Sequence, residues 1–297
     1  SSDEVYQIFE LARKFKKNDL NINLNNKVLG LIFDKASTRT RVSFQVAMSR
    51  LGGTTVDLNP TTSQIGRGEP IRDTARVLSR YCDVLAIRTF KQTDLEEYAK
   101  WSSKPVINAL TDLEHPCQAL ADFMTIKEEF NDFKNVVLTF VGDGNNVANS
   151  LILCSALLNL EIRIACPRGY EPNENIIQKA LQIYENKSLL KINNNPESSV
   201  IGANVIYTDV WSSMGEENQK EEKDKDFLGF SINKNLNIDE LIANTPEEYV
   251  KIASNLSLEK LKNFKSKINN NNKPESILFN SKILAKDLKS KLDELVL

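Results

Sequence analysis

Histidine is almost missing: His115 is the single one in 297 residues. A zinc centre or a Ser-His-Asp triad would have to be built around that one imidazole. The four cysteines, Cys82, Cys117, Cys154 and Cys166, are scattered without metal-ligand or disulfide spacing. No apolar run reaches about 18 residues, so no spanning helix and no membrane partner is expected. No charge sign dominates; the formal net charge of −2 argues against nucleic acid or an anionic membrane surface as a partner. Ser1-Ser2-Asp3-Glu4 leads directly into an amphipathic pattern, with neither a basic n-region nor an apolar h-region. Together with the cysteine usage, this makes a reducing cytoplasm the expected compartment. The length suits two domains of ordinary size better than one core.

What is present is concentrated around Phe33–Phe44, FDKASTRTRVSF. The apolar run Val28–Phe33 reads as a buried strand, and Ser37-Thr38-Arg39-Thr40-Arg41 then opens a helix stopped by Gly52-Gly53. Val42, Val46, Ala47 and Leu51 recur along that helix near its period. A strand that hands hydroxyls and arginines to a helix N-terminus builds an anion site, because free N–H groups, the dipole and guanidinium forks converge there. One serine and one arginine would mean ordinary capping. Two arginines and three hydroxyls within Ser37–Arg41 favour the anion site.

Strand and helix patterns alternate through two segments, 1–131 and 132–238, joined at the polar stretch Asn131–Asn135. The alternation predicts α/β architecture with two doubly wound parallel-sheet domains. Beyond Asp239 only helical patterns appear, as at Thr245-Pro246-Glu247-Glu248, a capping box with Pro at the first helical position. Residues 239–297 are therefore expected to form an all-helical tail.

Ligands of doubly wound sheets gather at the carboxyl ends of strands, and four such ends carry polar groups: Ser37–Arg41, Arg88, His115-Pro116-Cys117-Gln118, and Asn145-Asn146 with Thr208-Asp209. Taken singly, Arg88 could be a surface cation, while His115 and Asp209 could be helix caps. Gly142-Asp143-Gly144-Asn145-Asn146 lacks the G-x-G-x-x-G spacing of a dinucleotide site. Their joint occurrence at strand ends is what points to function.

The motifs STRTRVSF (37–44), SQIGRGEP (63–70), AIRTF (86–90), HPCQALAD (115–122), VGDGNNVANS (141–150) and TDVWSSMG (208–215) closely resemble those of the carbamoyltransferases, specifically the ornithine branch. The resemblance runs from about residue 3 to about 238. It implies a carbamoyl-phosphate-binding domain (1–131), a truncated ornithine-binding domain (132–238), and transfer of a carbamoyl group from carbamoyl phosphate to L-ornithine, giving citrulline and phosphate without metal or cofactor. On this resemblance Ser37, Thr38, Arg39 and Thr40 hold the phosphate and Arg88 bridges phosphate and carbonyl. His115 and Thr40 donate to the developing oxyanion, and Gln118 accepts from the carbamoyl nitrogen. Asn146, Asp209, Ser213 and Met214 hold ornithine, with Asp209 pairing its α-ammonium. The family's trimer, in which Gln64 reaches a neighbouring subunit's site, is implied as well. Putrescine or an acylated ornithine are the alternative acceptors.

The family continues with a strand ending in His-Cys-Leu-Pro and a later substrate-binding arginine. Here no Cys follows Cys166, no His follows His115 and no Arg follows Arg168. The second sheet is thus expected to be incomplete, and carbamoyl phosphate binding without transfer becomes the alternative function. Residues 238–297 instead resemble the C-terminal helices of O-GlcNAc-transferase-like glycosyltransferases, on TPEEYVKIA (245–253), SILFN (276–280) and AKDL (285–288). A fusion or misassembled reading frame at about residue 238 accounts for the change, with a divergent tail as the alternative. No site is carried over from that second likeness.

Overall fold

The computed structural model describes residues 1–17, 19, 22–35, 37–59, 64–211, 220–230 and 277–278. They fall into two compact units, one of residues 1–125 with 145–157, the other of residues 126–144 with those from 158 onward. Among the described residues no helix is long and apolar enough to cross a membrane.

The first unit contains helix α1 (Ser2–Lys16), then strand β1 (Val28–Phe33), α2 (Thr38–Arg50), β2 (Thr54–Leu58), α3 (Ile71–Tyr81), β3 (Val84–Arg88), α4 (Gln92–Trp101), β4 (Val106–Leu110) and the start of α5 (Pro116–Phe130). Its sheet is parallel, in the order β2-β1-β3-β4. The central strands are continuous apolar runs because both of their faces are covered. Leu29, Leu31 and Phe33 pack with Met48, Ala86 and Ala109. Ile32, Leu85 and Ile87 pack with Ala75, Leu95 and Tyr98. The alternation of residues between the two clusters is the period of two of a strand.

The second unit is built on β5 (Val137–Val141), β6 (Glu161–Ala165), α7 (Glu174–Ile183), β7 (Leu190–Asn193), α8 (Pro196–Val200), β8 (Val205–Thr208), α9 (Lys220–Asp226) and β9 (Ile277–Leu278). The intervening helix α6 (Asn146–Leu157) belongs by its contacts to the first unit. The sheet order is β7-β6-β5-β8-β9, again parallel. Val141, Ala165, Val200, Ala203, Ile206, Phe227 and Phe230 form one core cluster.

Three elements differ from the sequence expectation. Helix α8 is capped by the Asn195 side chain, which accepts from Ser198 N, and has Pro196 in its first turn. Its five residues are too few to show a period. Helix α9, KEEKDKD, is charged throughout and shows no apolar stripe. Ile277–Leu278, placed in an all-helical tail by the sequence pattern, form a strand paired with Val205 and Ile206 of β8. A parallel strand with an open edge carries unpaired N–H and C=O groups, and these two residues meet them. The other tail positions lie outside the described residues.

Each sheet reverses its winding direction once, between β1 and β3 in the first unit and between β5 and β8 in the second. A crevice opens outside the carboxyl ends of the strands at such a switch point. Phe33 lies opposite Arg88 at the end of the first pair, and Val141 opposite Thr208 at the end of the second.

The turn after β5 is tight. Gly144 N–H donates to Tyr170 O at 2.9 Å, and a Cβ there would lie against the backbone of Tyr170, Glu171 and Pro172. Gly144→Ala is therefore expected to destabilise the protein by about 1–3 kcal/mol, read as a lower urea midpoint with an unchanged slope.

Candidate active site

At the β1–β3 switch point the chain turns into α2 through Ser37, whose backbone is extended (φ −158°, ψ 109°) and whose side chain makes no capping hydrogen bond. The first-turn N–H groups of α2 are thus not consumed by the Ser37 hydroxyl, although serine commonly takes that role. Ser37 and Thr40 are half-buried, and Thr38 and Arg39 are exposed. The two arginines of the motif part company, because residues two apart on a helix do not share a face. Arg41 pairs with Asp57 at 3.5 Å and lies 5.2 Å from the centre of the Phe33 ring. That leaves Arg39, not Arg41, as the guanidinium of the helix start. The expectation that both forks point at one spot is corrected accordingly.

Arg88 ends β3 and is 8% exposed. The β3–β4 register slips beside it, with Ile87 opposite Asn108 but Arg88 opposite Leu110. A bulge of this kind re-aims the side chain at a strand end. Arg88 Nε is buried without a hydrogen-bond partner among the described residues. Burial, and then the like charge of Arg39, hold this guanidinium below its ordinary pKa. Two cations close together at an uncapped helix start are arranged for an anion.

His115 stands beside them. Burial first, and then the Arg88 charge, push its imidazole from 6.5 down to about 4. Its Nδ1 is likewise buried with no partner among the described residues. The imidazole is therefore neutral at physiological pH, a polar group without a charge of its own. On the next turn of α5 the Gln118 amide donates through Nε2 to Asp122 Oδ1 at 2.9 Å. A carboxylate only accepts, so this contact fixes which end of the Gln118 amide faces Asp122. Cys117 is no nucleophile: its thiol donates to Asn108 O at 3.3 Å, and burial raises its pKa. Gln64, exposed, opens the one-turn 3-10 helix Ile65–Arg67, which Gly68 closes in the left-handed region at φ 90°.

Asn146, at the start of α6, donates through Nδ2 to Thr111 O at 2.6 Å. In the second unit, Thr208 Oγ1 donates to Val141 O at 2.8 Å, tying the ends of β5 and β8. The half-buried Asp209 follows and accepts from Val210 N at 2.8 Å. Ser213 and Met214 lie outside the described residues.

The first family comparison matches residues 1–128 to the "Aspartate/ornithine carbamoyltransferase, carbamoyl-P binding domain". The second matches residues 134–240 to the "Aspartate/ornithine carbamoyltransferase, Asp/Orn binding domain". The chain belongs to the aspartate/ornithine carbamoyltransferase family. It is 77% identical over 236 residues to an ornithine carbamoyltransferase of Prochlorococcus marinus (strain MIT 9312), covering 80% of this chain and 77% of that protein. The ornithine carbamoyltransferase of Nostoc punctiforme is 52% identical over 236 residues, 80% of this chain and 77% of that one. Among solved structures, ornithine carbamoyltransferase from Pyrococcus furiosus superposes with a TM-score of 0.74 at 46% identity, covering 79% of this chain and 76% of that one. The anabolic ornithine carbamoyltransferase from Campylobacter jejuni gives 0.75 at 35% identity, covering 89% and 92%. The fold is thus the α/β carbamoyltransferase fold, with two parallel sheets.

Carbamoyltransferase motifs hold residues to which sequence reasoning gave no role. Asp143 of GDGNN accepts from Lys223 Nζ on α9 at 2.7 Å, and the two side chains are 12% and 5% exposed. No local signal marks such a pair, since Lys223 sits in a wholly charged heptapeptide. Lys223→Met would leave the Asp143 charge largely buried and is expected to cost about 3–5 kcal/mol, measured by chemical denaturation. A second expectation concerns the lone histidine. The His115 Cε1 proton should titrate near 4 rather than 6.5. An imidazole depressed in this way is protonated first in the unfolded chain, so its contribution to stability falls as pH drops from 6.5 toward 4. A midpoint near 6.5 in a proton NMR titration would contradict this placement of His115.

Proposed function

We propose that this chain is an ornithine carbamoyltransferase. It would transfer the carbamoyl group of carbamoyl phosphate to the δ-amine of L-ornithine, giving L-citrulline and phosphate, a reaction of arginine metabolism. The observation that carries the proposal is the pair of buried groups without a partner among the described residues, Arg88 Nε and His115 Nδ1, beside an α2 start that its own serine leaves uncapped. Carbamoyl phosphate is a dianion with a carbonyl next to it, and this arrangement offers donors for both parts.

Ser37, Thr38, Arg39 and Thr40 take the phosphate through backbone N–H groups, hydroxyls and one guanidinium. Arg88 bridges phosphate and carbonyl oxygen. His115 and Thr40 donate to that oxygen as the neutral amine attacks and it becomes an oxyanion. Preorganised donors of this kind contribute about 3 kcal/mol each. Gln118, its Nε2 engaged by Asp122, presents Oε1 to the carbamoyl NH2. The carbon–oxygen bond to phosphate then breaks, and phosphate departs with the proton that the attacking nitrogen gives up. No covalent intermediate is required, and positioning and electrostatics do the work. Asn146, Asp209, Ser213 and Met214 hold ornithine, with Asp209 on the α-ammonium. Residues 1–131 thus serve carbamoyl phosphate and 132–238 serve ornithine, leaving 239–297 as a tail of different origin. Gln64 completes a neighbour's site in a homotrimer. The compartment is the cytoplasm, where the thiols of Cys82, Cys154 and Cys166, all buried, stay reduced.

Two measurements on the purified chain test this. Citrulline should form from carbamoyl phosphate and ornithine, and calorimetry should show carbamoyl phosphate binding that Arg39→Ala abolishes. Retained affinity in the variant would remove Arg39 from the cradle. Binding in the absence of any citrulline would reduce the function to carbamoyl phosphate binding, the reading favoured by the missing Cys-Leu and Arg elements.

A further inference from the structure

Helix α6 begins just past the GDG turn, and every residue from Val147 to Ala156 is buried. Yet it carries three polar side chains at positions i, i+3 and i+4, one face of a helix, and all three reach the segment between β4 and α5. Asn146 Nδ2 donates to Thr111 O at 2.6 Å. Asn149 Nδ2 donates to Leu113 O at 3.0 Å. Ser150 Oγ accepts the backbone N–H of His115 at 2.7 Å. Asn149 and Ser150 are 3% and 4% exposed, so these bonds form away from solvent. The same segment is also closed on itself, since Thr111 N donates to Glu114 O at 2.9 Å and Glu114 N to Thr111 Oγ1 at 3.1 Å.

We propose that Asn149 and Ser150 are positioning residues for His115. Through two buried hydrogen bonds they hold the backbone of the segment that carries the imidazole, so that Nδ1 stays aimed at the carbonyl oxygen under Arg88. The catalytic part of this inference rests on the carbamoyl transfer proposed above. The mechanical part does not. Removing the Ser150 hydroxyl leaves the His115 N–H buried without an acceptor, and the segment relieves this by shifting toward water. An imidazole that moves with it loses part of its burial and part of its proximity to Arg88, the two causes that keep it neutral. Misplacement of a reacting group by about 1 Å can lower a rate about a hundredfold.

Ser150→Ala is the direct test, with Asn149→Leu as a second variant that removes the other bond at similar volume. Ser155→Ala is the matched control, because Ser155 is a buried serine of the same helix whose hydroxyl has no partner among the described residues. With one histidine in the chain, the imidazole Cε1 proton reports on His115 alone. In both variants its titration midpoint should rise from about 4 toward 6.5. The kcat for citrulline should fall by about tenfold or more, and the carbamoyl phosphate Kd should stay that of the parent. Ser155→Ala should match the parent in all three. If Ser150→Ala does not fold, Asn149→Leu decides alone. An unmoved midpoint in the variants overturns the proposal whatever kcat does, as does an equal rise in Ser155→Ala. Should the parent make no citrulline, the transfer reading fails, and the titration still decides the positioning.

Discussion

A guanidinium held under the surface with nothing bonded to its Nε among the described residues is the constraint on which the rest of this structure turns. Arg88 is 8% exposed, and the charges that act on it include the like charge of Arg39. Burying a cation beside another cation is unfavourable unless something pays for it, and here the apolar strands do. Leu85, Ala86 and Ile87, the residues just before it on β3, are fully buried, and their packing on both faces of the sheet fixes where the strand ends. The β3–β4 bulge then sets the direction of the side chain. The like charges of Arg39 and Arg88 lie beside first-turn N–H groups of α2 that the Ser37 side chain does not cap, donors suited to the phosphate of the proposed substrate. On the function proposed above, binding of the phosphate relieves that repulsion, which suits a helix start built with arginines rather than with the acidic residues that stabilise an ordinary N-terminus.

Much of this was legible in the sequence, for a physical reason. Parallel strands covered on both faces read as unbroken apolar runs, so β1, β3 and β5 could be found and their ends located. Doubly wound sheets put ligands at those ends, so Ser37–Thr40, Arg88, His115 and Gln118 stand out as the proposed site before any three-dimensional information. What stayed hidden depends on partners far along the chain. Ser150 and His115 are 35 positions apart, and Lys223 and Asp143 are 80 apart. A serine inside an apolar helix looks like any tolerated small residue, and a lysine among glutamates and aspartates looks like a solvated face. The split between Arg39 and Arg41 could have been read from helix geometry alone, since the helix itself was expected.

The edge of the second sheet shows the same limit from the other side. The outer edge of β8 is a place where backbone groups need partners. Ile277–Leu278, from a segment whose pattern is helical, pairs there in parallel with Val205 and Ile206. A short apolar run cannot be assigned to helix or strand by periodicity, and an unpaired edge is a strong local demand. The edge therefore decides what the local pattern leaves open.

The choice of histidine beside Arg88 follows from the same electrostatics. A third permanent cation next to Arg39 and Arg88 would deepen their repulsion. A carboxylate in that position would compete with the substrate's phosphate for the guanidinium. An imidazole whose pKa burial and Arg88 push down to about 4 does neither. It is neutral at working pH and can still offer an N–H where charge develops on an oxygen. Its usefulness then rests on where it is aimed rather than on how it is charged. That places the burden on the backbone from Thr111 to His115 and on the buried side chains of α6 that grip it.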